Sequence, residues 1–332
     1  MRIAPKVQTA TFDIADWEQD AEFGVFPQGA RAKDAVFAPA KPSDLVLVAG
    51  KRYLFKRSKR SYPDQFWGEV IAYRVGCLLG LQVPPAFTAF NSQTGHSAAL
   101  IEWFYTEGAE SFIMGGDFLQ RIDPGYDRDK GTKHNMEQIE VLMRAMHRTG
   151  TPVKNWRQWW VDALLFDALI GNTDRHQDNW GLVFQRTGDK LSRCELSPLY
   201  DNGTSLGHER FIDRVLDWSD ADVNRYIQRG THHVKWSLRD QNMLNGHAAL
   251  LHCAGLHWPK TIEIARNRLN FHPDELVACC ADLVDLPTPV ALTPARMAFV
   301  QRLLKRRHQL LIETLDNTRT VLDELRASVS HR

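Results

Sequence analysis

Residues 171–179 read Gly-Asn-Thr-Asp-Arg-His-Gln-Asp-Asn, and residues 198–203 read Pro-Leu-Tyr-Asp-Asn-Gly. Together they set an acid (Asp174), an amide five positions later (Asn179) and a second acid (Asp201) in one order along the chain. Phosphoryl transfer from a nucleoside triphosphate asks little more of a protein. One carboxylate orients the attacking hydroxyl or accepts its proton, while an amide and a carboxylate hold Mg²⁺ against the phosphates. Magnesium takes one or two carboxylates plus phosphate oxygens. Asp174 therefore reads as the catalytic base, and Asn179 and Asp201 as metal ligands. Asp is also a common turn residue, but an ordered set of three, each following an apolar segment, favours chemistry. His176, two residues after Asp174, is expected to support this catalytic loop through a hydrogen bond rather than to act as the base. Arg175 is expected to meet a phosphate or a nearby carboxylate.

The same chemistry calls for a lysine on a small sheet and a glutamate on the helix after it, held as an ion pair. Lys56 closes the apolar run Tyr53-Leu54-Phe55, and Glu69 lies in the helical pattern that follows. Lys51 and Lys59 flank Lys56 but fall outside the run. Farther upstream, Gly29 with the small Ala30 and Ala32 offers backbone N–H groups an approach to phosphate. The stretch is neither a Walker A sequence nor G-x-G-x-x-G, and an ordinary turn before a strand fits it equally well.

The elements that must position these groups follow from periodicity. Residues 34–56 are β-rich, with apolar runs at 36–38, 45–48 and 53–55 punctuated by Pro39, Pro42 and Gly50. Residues 64–81 have apolar positions at helical spacing, Gly80 near the end and Pro84 beyond. Strands are expected at 86–90 and 98–103. Residues 105–135, rich in Gly, Asp and Pro, read as a linker and long loop. Helices are expected at 136–148 and 155–171, the second apolar enough to be buried, with the 171–179 motif in the loop after it. Short strands are expected at 181–184 and 196–199, and mostly helix from 215 onward, including a long amphipathic stretch at 295–327. Residues 1–25 read as irregular. The expectation is an α+β fold in two lobes, a small β-rich N-lobe over 1–104 and a larger, mostly helical C-lobe over 105–332.

Composition narrows the function classes. The chain of 332 residues is 43% hydrophobic and 24% charged, an ordinary globular balance. Lys and Arg number 41 against 40 Asp and Glu, a net charge of +1 that leaves no nucleic-acid footprint. The basic runs at 56–60 and 305–308 read as solvated faces. Five scattered cysteines without C-x-x-C spacing fit reduced thiols. No run of about 18 apolar residues is present, so no membrane span is expected. Acids at Asp13, Asp16 and Glu18 interrupt any signal-peptide core. A cytoplasmic location is expected, with secretion as an effector the alternative. H-E-x-x-H does not occur, which argues against a zinc protease.

The run from Leu169 to Asn179, followed by Pro198-Leu199-Tyr200-Asp201, resembles the HipA-like serine/threonine kinases of bacterial toxin–antitoxin systems. Gly29-Ala30-x-x-Lys33 is similar to that family's phosphate loop, the stretch from Glu69 to Pro84 to its small-lobe helix, and Glu102-Trp103-Phe104 to its inter-lobe hinge. The resemblance implies a two-lobed, protein-kinase-like fold with ATP and Mg²⁺ between the lobes. It implies Lys56 as the phosphate-contacting lysine, Asp174 as base, and Asn179 and Asp201 as metal ligands. It also implies a protein substrate and an antitoxin partner. Two departures stand out. Full-length HipA proteins carry a further N-terminal subdomain for which there is no room before Gly29. Members that phosphorylate their own phosphate loop have a Ser ahead of its Gly, where this chain has Phe26-Pro27-Gln28. The compact form is more similar to short family members acting as single-subunit toxins or effectors. The catalytic core also resembles that of phosphoinositide kinases, so a lipid or small-molecule kinase is the alternative. A non-catalytic nucleotide-binding module is another.

Overall fold

The computed structural model describes residues 2–21, 33–188, 190–207, 211–239 and 244–330. Of the proposed phosphate loop, Gly29 and Ala30 lie outside the described residues. Contacts group the chain into two compact units. The first comprises Met1–Phe104, Asp201–Trp218 and Pro273–Leu303, and the second Tyr105–Tyr200, Ser219–His272 and Leu304–Arg332.

The first unit is built on a six-stranded sheet. Its strands are β1 (Phe12–Asp13), β2 (Glu18–Gln19), β3 (Lys33–Phe37), β4 (Arg52–Arg57), β5 (Ala86–Asn91) and β6 (His96–Glu102), in the spatial order β1-β5-β6-β4-β3-β2. Neighbours are antiparallel except β1 and β5. The stretch at 1–25 therefore supplies two short edge strands, where irregular chain is the expectation. Side chains alternate across a strand, so on β4 Tyr53 and Phe55 enter a core with Phe12, Val36, Phe87 and Leu100. Lys56, one residue on, points to the opposite face.

Between β4 and β5 runs α1 (Trp67–Leu79), buried on nearly every side. A helix apolar all round belongs in a core. It ends at Gly80, whose φ of 70° places it in the left-handed region. The Gly80 and Leu81 N–H groups donate to the carbonyls of Cys77 and Gly76, the paired bonds of a Schellman motif. Trp67 Nε1 donates to Val290 O, and Arg74 pairs with Asp282 at 3.0 Å, so residues from 273 onward cover the helix.

The apolar run at 45–48 is not a strand. Asp44 accepts the Val46 N–H through its side chain and the Leu47 N–H through its carbonyl, and Leu45 is fully exposed. This local Asp turn competes with the ladder and wins.

The second unit holds β7 (Glu110–Met114), α2 (Gly115–Ile122), α3 (Met136–Arg148), α4 (Trp156–Ile170), β8 (Gly181–Thr187) and β9 (Lys190–Leu196). Strands β7, β8 and β9 form an antiparallel sheet. The segment at 105–135 is thus structured, where its composition suggested a linker. Its glycines serve close packing: a Cβ at Gly115 would enter the Trp180 ring, and one at Gly116 would meet Asp178. The strand expected at 196–199 lies earlier, as β9.

The remaining α-helices among the described residues are α5 (Asp213–Leu216), α6 (Asp220–Arg229), α7 (His247–His257), α8 (Ile262–Arg268), α9 (Asp274–Ala278) and α10 (Pro294–Ser330). No helix among the described residues is long and apolar enough to cross a membrane.

Candidate active site

In the first unit, Lys56 and Glu69 are brought together inside the fold. Both side chains are almost fully buried, at 3% and 4% exposure, and Lys56 Nζ lies 2.6 Å from Glu69 Oε1. Strand pairing sets the lysine on the face away from the Phe55 core, and the first turn of α1 delivers the glutamate. The same ammonium lies 2.6 Å from Oδ1 of Asp201, and Glu69 Oε2 accepts the backbone N–H of Asn202 at 2.9 Å. Burying charge is costly unless each ion is paired and hydrogen-bonded. Here one ammonium is shared between two carboxylates, a formal net charge of −1 that suits a cation.

Asp201 sits at φ 57°, in the left-handed region. For a non-glycine residue this costs roughly 1–2 kcal/mol. Such strain persists where the surroundings over-determine the conformation, and it clusters at functional sites. Lys33, the first residue of β3, stands opposite Lys56 in the strand register. Glu102 ends β6, and its carboxylate accepts from Lys6 at 2.6 Å with Lys51 at 3.7 Å. Trp103 donates its N–H to Arg52 O and lies under the Arg52 guanidinium, 5.2 Å from the ring centroid. Phe104, half-buried, closes this stretch.

In the second unit, the loop 171–179 is folded on itself. Asn172 Nδ2 donates to Asp167 Oδ1 at 3.1 Å, and Asn172 Oδ1 accepts the Asp174 N–H at 3.0 Å. The Asp174 carbonyl accepts from His176 N at 2.8 Å and from Asn179 Nδ2 at 2.6 Å. The Asn179 amide is thereby oriented through its nitrogen, which leaves Oδ1 as the group available to a metal. His176 Nδ1 accepts the Asp178 N–H at 3.2 Å, the loop-supporting bond expected of it.

Arg175 is fully buried and meets a carboxylate. It forks onto Asp167 through Nε at 3.0 Å and Nη2 at 2.7 Å, and its Nη1 donates to the carbonyls of Asn179 (3.1 Å) and Tyr200. His232 Nε2 donates to Asp167 Oδ2 at 2.8 Å, its Nδ1 being taken by the Val234 N–H. Burial alone would raise the Asp167 carboxyl, but the Arg175 guanidinium and the His232 bond hold it well below the usual carboxylate range.

Three groups in this support went unread in the sequence. One is Asp167 and a second is His232. The third is Arg128, which pairs with Asp178 at 3.1 Å and with Asp117 at 2.5 Å. A signal was present for the first, since an acid inside the apolar run of α4 must find a buried partner.

The sequence profile of the HipA-like C-terminal domain family matches residues 26–243. No curated protein matches the chain by sequence. Among solved structures, the chain is similar to a Helicobacter pylori proinflammatory kinase, CtkA. The TM-score is 0.71 at 16% identity, covering 94% of this chain and 99% of that one. It is also similar to HipA of Shewanella oneidensis, solved with HipB and operator DNA. There the TM-score is 0.50 at 16% identity, covering 96% of this chain and 75% of HipA. The profile match spans most of the chain and the structural likeness nearly all of it, so this protein belongs to the HipA-like C-terminal domain family and has a two-lobed, kinase-like α+β fold.

Proposed function

We propose that the protein is an ATP- and Mg²⁺-dependent kinase that phosphorylates serine or threonine of a protein acceptor. Family membership and fold support a kinase-type phosphotransferase. The observation that carries the reading is the buried Lys56, whose Nζ lies 2.6 Å from both the buried Glu69 and a part-exposed, strained Asp201. Phosphate and metal binding call for a lysine held by a glutamate with a metal-holding acid nearby, and this arrangement supplies both.

In this reading Glu69 holds Lys56 in place, and Lys56 contacts the nucleotide phosphates. Asn179 Oδ1 and the Asp201 carboxylate hold the metal, and Asp174 orients the acceptor hydroxyl and takes its proton. His176 supports the loop. Lys33, with Gly29 and Ala30, serves the phosphates, and the 102–104 stretch serves the base of the nucleotide. Bound Mg²⁺ supplies neutralisation of the phosphate charge. Family membership and the likeness to CtkA and HipA support a toxin or effector role, with or without an antitoxin partner, as part of this reading.

The test offers γ-labelled ATP and Mg²⁺ together with a mixed protein acceptor and phosphoinositide vesicles. Label is expected on protein, recovered as phosphoserine or phosphothreonine. Label confined to lipid would replace this reading with a lipid kinase.

A further inference from the structure

The basic run at 305–308 is not a solvated face. Arg307 and His308 are 6% and 2% exposed. His308 Nε2 bonds Leu269 O at 3.0 Å, but Arg307 reaches elsewhere: its Nη1 donates to the carbonyl of Ile170, the last residue of α4, at 3.1 Å. No carboxylate lies within ion-pair distance of it among the described residues. Burial pushes the guanidinium down to about 10, so it still carries its charge at neutral pH.

A buried cation without an acid needs another source of negative potential, and α4 supplies one. The last carbonyls of a helix lack intrahelical donors and carry the negative end of its dipole. The last turn of α4 contains no basic residue of its own. Gly171, which follows at φ 69°, packs against the guanidinium so closely that a Cβ there would overlap it. Gly171 is the first residue of the loop that carries Asp174 and Asn179. The far half of that loop is held by a second buried guanidinium, Arg175, through the carbonyl of Asn179.

We propose that Arg307 is a positioning residue for the loop 171–179. It seats the end of α4 through Ile170 O and fixes the direction in which Gly171 launches the loop, without touching substrate. The two guanidiniums then divide the work, Arg307 at the entrance and Arg175 at the exit. The catalytic consequence rests on the phosphotransfer reading above; the consequence for the loop does not.

The test compares wild type, R307K and R307M by residue-resolved amide hydrogen exchange. The informative amides are Asn172, His176 and Asn179, which donate to Asp167 O, Asp174 O and His176 O. In R307M these are expected to exchange at least about tenfold faster, while amides in the middle of α4 hold their rates. R307K, which keeps charge but loses the fork, is expected to fall between, and it decides the matter if R307M does not fold. Unchanged loop amides, or acceleration of the whole unit together, would overturn the proposal. In phosphotransfer, turnover by R307M is expected to fall by about 10²-fold at an unchanged KM for ATP, the cost of a misplaced loop. If wild type transfers no phosphate, the functional reading fails and the exchange data still judge Arg307.

Discussion

Lys56 Nζ lies 2.6 Å from Oδ1 of Asp201, a residue 145 positions later and held at φ 57°. The pairing joins the central strand of the first unit to the segment that re-enters that unit at Asp201. It also predicts that stability and chemistry can be separated at this residue. Asp201→Gly relieves the left-handed backbone, a gain of roughly 1–2 kcal/mol, while removing one acceptor from the lysine. Thermal unfolding is expected to change by only about 1 kcal/mol, with phosphate transfer lost. A collapse in stability at full activity would show that Asp201 is a structural residue alone.

Glu69 is expected to behave in the opposite way. Glu69→Ala strips the buried ammonium of one carboxylate and orphans the Asn202 N–H. Breaking a buried pair from one side costs roughly 3–5 kcal/mol, to be read from urea unfolding. Glu69→Gln, which keeps one of the two acceptor oxygens, should recover part of that loss.

The segment 105–135 offers a packing test. Gly115→Ala drives a Cβ into the Trp180 ring, and overpacking of this kind costs roughly 1–3 kcal/mol. The expected result is a lowered unfolding midpoint with a shifted Trp emission. An unaffected midpoint would mean that Gly115 does not pack on Trp180.

Stability should fall on acidification well before carboxylates titrate. Burial above all, with neighbouring His176, His232 and Lys235 adding to it, pushes His233 down to about 4, and burial with His232 pushes His247 down to about 3. Fully buried His134 is also held well below its ordinary value, chiefly by burial. Each is neutral when folded but titrates near ~6.5 when unfolded. Their contribution is therefore present above about pH 6.5 and declines as pH falls toward 4, because the unfolded chain binds the protons. Urea midpoints measured between pH 7 and 4.5 should decline, with a shallower slope in His233→Gln. A flat profile in wild type would contradict this.

How far the sequence reveals the fold and site depends on whether the decisive force is local. Helices α1, α3 and α4 were legible because apolar spacing and Gly80 or Gly171 mark them within the chain. The Lys56–Glu69 ion pair was legible because a lysine closing a strand and a glutamate on the next helix follow in the expected order. The strand β7 and helix α2 were not, because Gly115 and Gly116 look like loop residues until Trp180 and Asp178 are packed on them. Leu45–Val48 failed for the reverse reason: an apolar run was overruled by the Asp44 turn. Arg307 was hidden in a basic run whose local pattern says solvent, and only the end of α4 shows why it is buried.

Asp174 and Asp201 are the residues expected to carry phosphate transfer. The most direct measurement is the rate of transfer from γ-labelled ATP, with Mg²⁺, by wild type, Asp174→Ala and Asp201→Ala, each first shown to be folded. Transfer by wild type is expected, with a loss of at least about 10²-fold in both variants. Equal labelling by all three would contradict it.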